Sequence, residues 1–370
     1  MSVDQKRLDA LGDTRSVVVK CGTSSLTESS GRLDPAAVSK LCAQLAKLMD
    51  SGRSVTLVAS GAIGAGMGEL DLPHRPETLP VLQAVAAVGQ GQLMRAFHDE
   101  MEKHSCLVGQ VLVDREDFED RRRYLNIRNT LFALHERNIL PVINENDVVS
   151  VDEIRFGDND IIAAHITNML SADVLILLTT VDGILDAEKT IDTVHDIAQV
   201  RLLVSGDKSR LGSGGMDTKL AAAEMVTSAG EAAVIANIAE DDILDRIVSG
   251  ESIGTFFIPA DKRLSSRRRW IGQAARAAGS IIVDEGAVRA LKEHGKSLLP
   301  SGITAVDGEF SSGEIVSVLD SGGNELARGL TNYDSRQLKS IMGMQTSEIA
   351  GVIGDKPYDE AIHRNNMTLC

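Results

Sequence analysis

Aromatic side chains are scarce in this 370-residue chain, at 3% of the total. A core short of large rings has to be filled by Ala, Val, Ile and Leu, a diet that suits buried parallel strands flanked by helices. Cysteine is sparse too. Cys21, Cys42, Cys106 and Cys370 are scattered without CxxC spacing, which argues against a disulfide framework and fits free thiols in a reducing, cytoplasmic compartment. Long apolar runs are missing: Val174–Leu178 is far too short to cross a bilayer. Residues 1–14 are polar, so no signal peptide is expected. Positive charge is in deficit, with 38 Lys and Arg against 53 Asp and Glu and a net charge of −15. That balance argues against an extended nucleic-acid surface. It still allows a few lysines to reverse the field inside one cleft.

Several catalytic signatures are also wanting. Gly295-Lys296-Ser297 resembles the end of a Walker A loop, but Ala290 stands at the first glycine position and a helix precedes it. No serine elbow, His/Cys cluster or paired-carboxylate pattern stands out, and the eight histidines are dispersed.

What is present is alternation. β-Branched runs at 16–19, 54–59, 106–113, 140–143, 173–178 and 232–236 predict strands. Helices are expected over 35–49, with Asp34 as N-cap, and over 78–104, 123–137, 161–170, 217–229 and 241–249. Such alternation implies an open, mostly parallel α/β sheet sandwiched by helices. After Pro259 the texture changes. A basic run (Lys262, Arg263, Arg267, Arg268, Arg269) reads as a linker. Short strands at 280–283, 303–307, 314–319 and 325–330, with helices at 285–294 and 335–342, then form a small mixed β unit. The expected division is 14–260, a linker at 261–275, and 276–364.

Three loops follow predicted strands, where ligands of open α/β sheets collect. In Lys20-Cys21-Gly22-Thr23-Ser24-Ser25, a lysine ending a buried strand calls for an anion, unless it reaches solvent. Ser60-Gly61-Ala62-Ile63-Gly64-Ala65-Gly66-Met67-Gly68 does not fit GxGxxG, and its glycines suit either an anion site or close helix packing. Leu211-Gly212-Ser213-Gly214-Gly215-Met216-Asp217-Thr218-Lys219 opens a helix and suits a phosphate, the bland alternative being a surface loop. Asn144-Glu145-Asn146-Asp147 and Gly157-Asp158-Asn159-Asp160 are acid- and amide-rich. Singly these residues read as caps, and together as a site for a polar, amine-bearing substrate.

These segments, in this order, resemble the amino acid kinase family. The INEND and GDND stretches look like the branch of it that phosphorylates free glutamate. Val283–Ala287 and Ser297–Ile303 resemble the PUA domain that ends bacterial members of that branch, and Ala361–Arg364 resembles their terminal signature. The resemblance implies an amino acid kinase fold with a C-terminal PUA-like domain, and ATP-dependent phosphorylation of the L-glutamate side-chain carboxylate, the first step of proline biosynthesis. It implies Lys20, Lys219 and Asp160 as catalytic residues, with Asp160 holding the two ammonium groups in place. Lys20, Gly22, Thr179, Thr180, Ser213, Gly214, Gly215, Met216, Asp217, Thr218 and Lys219 would contact ATP. Ser60, Asp147 and Asn159 would bind glutamate. Mg²⁺ would arrive with ATP, on phosphate oxygens and waters. Proline as feedback effector, a downstream glutamyl-phosphate reductase and a homodimer or homotetramer are the further partners implied. One stretch departs from the family, Thr179-Thr180-Val181-Asp182-Gly183-Ile184-Leu185, where an Asp usually follows the Thr and a Tyr follows soon after Gly183.

Two alternatives remain from the residues. The same fold could serve another acceptor, such as acetylglutamate, aspartate, carbamate or UMP. The C-terminal unit could bind RNA, although residues 271–370 carry nine Lys and Arg against thirteen Asp and Glu.

Overall fold

The computed structural model describes residues 3–28, 32–149, 159–186, 189–206, 215–260, 270–274, 276–354 and 358–369. Backbone contacts divide the chain into two units, Met1–Asp117 with Arg122–Arg263, and Phe118–Arg121 with Leu264–Cys370.

The first unit is built on strands β1 (Ser16–Cys21), β2 (Ser54–Ala59), β3 (Leu107–Val113), β4 (Ile139–Glu145), β5 (Val174–Thr179), β6 (Leu185–Asp186), β7 (Lys189–Thr190), β8 (Thr193–Val194), β9 (Ala232–Asn237) and β10 (Thr255–Phe257). Eight of them form one sheet in the order β3-β4-β2-β1-β5-β9-β10-β8, and β6 pairs with β7 in a separate ribbon. Six strands from β3 to β9 run parallel, and only the β9–β10 step is antiparallel within that sheet. The central strands are buried on both faces, which explains why Val17-Val18-Val19 and Leu175–Leu178 read as continuous apolar runs rather than as alternation.

Local chemistry sets the helix ends. Asp34 accepts hydrogen bonds from the Ala36 and Ala37 amides and Pro35 takes the first position of helix Pro35–Asp50, so orphan donors there are satisfied. Helix Leu79–Glu102 packs on the short helix Ala62–Glu69 at very close range. A Cβ built on Gly66 would lie 1.9 Å from the Val85 carbonyl oxygen, and one on Gly89 would lie 1.8 Å from that of Ala62. The glycine-dense segment therefore serves helix packing at Gly66, one of the two readings its sequence left open.

The second unit carries a five-stranded mixed sheet. Its strands are β11 (Gly279–Val283), β12 (Ile303–Gly308), β13 (Ile315–Leu319), β14 (Glu325–Leu330) and β15 (Met367–Leu369), in the order β12-β11-β13-β14-β15. Helices Glu285–Lys292 and Ser335–Ile341 accompany them, the latter opened by a capping box between Asp334 and Gln337. Its core is aliphatic around two buried rings, Phe310 and Tyr333. The linker's basic run, 262–269, lies outside the described residues. No described helix is long and apolar enough to cross a membrane.

Candidate active site

β1 sits between β2 and β5, where the order of strands reverses, and crevices at such switch points collect ligands. The register aligns the carboxyl ends: Lys20 pairs with Val58 and Leu177, and Cys21 with Ala59 and Leu178. Ser60 is fixed beside them by its amide bonding the Cys21 carbonyl at 3.0 Å. Helix Asn159–Leu170, buried along most of its length, brings Asn159 and Asp160 to the same edge.

The result is a buried trio of charges. Lys20 Nζ lies 2.6 Å from Asp160 Oδ1, and Lys219 Nζ lies 2.8 Å from Asp160 Oδ2. Lys20 is 5% exposed, Lys219 9% and Asp160 0%. Lys219 also donates to the Gly215 carbonyl at 3.2 Å, and the Thr218 hydroxyl lies 3.1 Å from Asp160 Oδ2. Burial alone would push the Asp160 carboxyl up, but the charges and hydrogen bonds of Lys20 and Lys219 hold it below the usual carboxylate range. Two ammonium groups against one carboxylate leave one positive charge in excess, and a water-poor site accepts that when an anion meets it. Glycines keep the space beside both cations open. A Cβ on Gly22 would stand 3.6 Å from Lys20 Nζ, and one on Gly215 would stand 4.0 Å from Lys219 Nζ. Neighbouring Cys21 is no nucleophile, since burial raises its thiol to about 12 against the pull of Lys20.

A neutral hydrogen-bond chain runs beside the trio. Asn159 Nδ2 donates to Ser60 Oγ at 2.9 Å and to Asn144 Oδ1 at 3.1 Å. Asn144 Nδ2 donates in turn to Gln90 Oε1 at 2.8 Å. Gly61, at φ +118°, turns the chain from Ser60 into helix Ala62–Glu69, a conformation that glycine adopts freely. Asp147, half-buried just past β4, has its carboxyl raised to about 6 by burial and by the charge of Glu145, with Arg75 pulling the other way.

The residues named from sequence fall as follows. Lys20, Asp160, Lys219 and Thr218 come together, as do Ser60 and Asn159. Thr179 closes β5 half-buried and Thr180 is exposed beyond it, at the carboxyl edge next to β1. Gly215, Met216 and Asp217 open helix Gly215–Ser228, with Asp217 exposed. Ser213 and Gly214 lie outside the described residues, as do Gly157 and Asp158. Gln90 and Asn144 were not among the named candidates. Asn144 was signalled only as part of its acid- and amide-rich stretch, and Gln90 by nothing, being one of several polar residues inside a long helix. Among the described residues no group of three or more His, Cys, Asp and Glu is placed to hold a metal ion.

A cavity of about 850 Å³ lies within the second unit, bordered by Asp284, Lys296, Asp359, Glu360, His363 and Arg364. Its acids outnumber its Lys and Arg, and among the described residues its lining shows no buried charge cluster like that of the first unit.

Residues 15–237 match the amino acid kinase family, and residues 279–353 match the PUA domain. A glutamate 5-kinase of Thermoanaerobacter sp. (strain X514) is 44% identical over 95% of this chain and 97% of its own length. That of Caldanaerobacter subterraneus subsp. tengcongensis is 45% identical over the same shares. That of Citrifermentans bemidjiense is 44% identical over 98% of this chain and all of its own. Among solved structures, Giardia carbamate kinase aligns with 67% of this chain and 100% of its own at 19% identity and a TM-score of 0.49. The chain belongs to the amino acid kinase family and, within it, to the glutamate 5-kinases.

Proposed function

We propose that this chain transfers the γ-phosphoryl group of ATP to the side-chain carboxylate of L-glutamate, giving L-glutamyl 5-phosphate for proline biosynthesis. The observation that carries the reading is the buried Lys20–Asp160–Lys219 trio, open beside both cations and set next to Ser60 and Asn159.

A glutamate side chain, which titrates near pH ~4.3 in water, is ionised at neutral pH, so attack needs no general base. A carboxylate oxygen forms a bond to the γ-phosphorus while the bond from that phosphorus to the bridging oxygen breaks and ADP departs. The protein's task is to align two anions and neutralise their repulsion. Lysine suits it, being a compact charge on a long stem. Lys20 and Lys219 neutralise the transferring group, and Asp160 fixes both. Gly22, Thr179, Thr180 and residues 213–219 contact the nucleotide. Ser60, Asp147 and Asn159 hold glutamate, with Asp147 pairing its ammonium group. Mg²⁺, carried by ATP oxygens, adds positive charge to the phosphates when bound.

The product is a labile acyl phosphate, so a reductase that consumes it promptly is the natural downstream partner. Proline as feedback effector, a cytoplasmic location and a homo-oligomer belong to the same reading. The second unit is not assigned to RNA. Its net negative balance and its acid-rich cavity do not favour a polyanion.

The test is hydroxamate formation from MgATP, hydroxylamine and a panel of L-glutamate, L-aspartate, N-acetyl-L-glutamate and no acceptor. Signal with glutamate alone is expected. Signal with a different acceptor overturns the substrate, and no signal with any carboxylate, from folded protein, overturns the reaction class.

A further inference from the structure

The chain from Gln90 to Ser60 has a fixed direction, and one backbone group sets it. The Glu145 amide can only donate, so the Asn144 atom 2.9 Å from it is the oxygen. The other end of the Asn144 amide is therefore a donor, and it faces Gln90, which must present Oε1. Asn144 Oδ1 also faces Asn159, which must present Nδ2. The second proton of that Nδ2 goes to Ser60 Oγ, so the serine oxygen accepts and keeps its own proton to donate. Asn159 Oδ1 is left as a buried acceptor with no partner among the described residues. A buried amide oxygen in that state calls for a donor.

From this we infer that Gln90 is a positioning residue for the amino-acid substrate: by accepting from Asn144 it locks a polarity relay that presents a hydroxyl donor at Ser60 and an amide acceptor at Asn159. The inference rests on the proposed reading of Ser60 and Asn159 as substrate contacts. The relay matches an amino acid's own pair of groups. The Ser60 hydroxyl suits a carboxylate oxygen and the Asn159 oxygen suits an ammonium proton. An acceptor lacking either group leaves one buried partner unpaired, and such mismatches discriminate strongly. Gln90 bonds Asn144, not Ser60 or Asn159. Without its oxygen, the Asn144 amide has a buried donor unanswered and keeps only the Glu145 amide to hold its orientation, so a turned-over Asn144, with Asn159 following it, costs less to reach. Reversed, they would present a donor toward the ammonium group.

The experiment compares wild type, Gln90→Met and Gln90→Glu in the hydroxamate assay, with KM and kcat measured for L-glutamate and for ATP. Methionine keeps the length and removes the acceptor, whereas glutamate keeps an acceptor for Asn144. Gln90→Met is expected to raise KM for L-glutamate about tenfold or more, with kcat and KM for ATP within about threefold of wild type. Gln90→Glu is expected to restore KM for L-glutamate to within about threefold. An unchanged KM in Gln90→Met, or equal damage in Gln90→Glu, overturns the relay. Should Gln90→Met fail to fold, Gln90→Asn, whose shorter amide withdraws from Asn144, takes its place with the same expectation. If wild type turns over a different amino acid, the glutamate assignment falls, and the same variants are compared with that acceptor, so the relay stands or falls on its own.

Discussion

Lys20 and Lys219 reach opposite oxygens of one buried carboxylate, Asp160 Oδ1 at 2.6 Å and Oδ2 at 2.8 Å. One lysine lies near the end of a strand and the other in the first turns of a helix far along the chain, and the shared carboxylate links them. In the proposed reaction the remaining ammonium protons meet a phosphoryl oxygen. Lys219→Ala is expected to lower kcat about 10²- to 10³-fold, by analogy with lost oxyanion donors. KM for glutamate should change far less. Equal losses in the two parameters would refute a role confined to the transition state.

The same geometry makes Asp160 a stability determinant. Its folded pKa lies below the ordinary value, so the stabilisation is present above the unfolded carboxylate pKa of about 3.9 and is lost as pH falls through the folded one. Asp160→Asn leaves two buried cations without a counter-ion, a change of the kind that costs about 3–5 kcal/mol. Urea unfolding of the two proteins should differ strongly at neutral pH and converge in acid. A gap that persists well below the folded pKa would assign the loss to packing rather than charge.

Asp147 sets a pH dependence of its own. Burial and Glu145 raise its carboxyl to about 6, and only the ionised form pairs with a substrate ammonium group. The kcat/KM for glutamate should therefore hold above pH 6 and fall as pH drops through it, with kcat less affected. Asp147→Asn should flatten that limb at a low value. A limb unchanged in the variant would place the titration on another group.

Much of the scaffold was legible because burial left a plain mark. Residues 54–59 were read as β2 to the residue, and Asp34 as the cap of its helix, since a β-branched run and an Asp-Pro pair each have one local meaning. Helix Ala62–Glu69 was not legible. Three glycines give it poor intrinsic propensity, and it forms because Leu79–Glu102 packs against it. Strands β8, β10 and β15 span two or three residues, too short for any periodicity to register. At the site, the lysine ending β1 announced itself as a buried charge. Its sharing of Asp160 with Lys219 came only through the family resemblance. Gln90 shows the limit: its meaning is a single contact to Asn144, which no pattern around it encodes.

The packing beneath Ser60 gives the last prediction. A Cβ on Gly89 would meet the Ala62 carbonyl oxygen at 1.8 Å and the Gly66 amide nitrogen at 2.3 Å, both of them backbone, which cannot rotate away. Gly89→Ala must therefore push helix Ala62–Glu69 aside, and Ser60-Gly61 lead directly into that helix. Overpacking of this kind costs about 1–3 kcal/mol, and the shift should also raise KM for glutamate by displacing Ser60 from Asn159. Gly91 lies two residues on in the same helix, exposed, with nothing within 4 Å of its would-be Cβ. There the same substitution should stabilise by about 0.5–1 kcal/mol, through helix propensity alone. Denaturant midpoints with unchanged m-values, measured beside KM for both variants, separate the two effects. If Gly89→Ala proves as benign as Gly91→Ala, the close crossing of these helices is not what holds Ser60 in place.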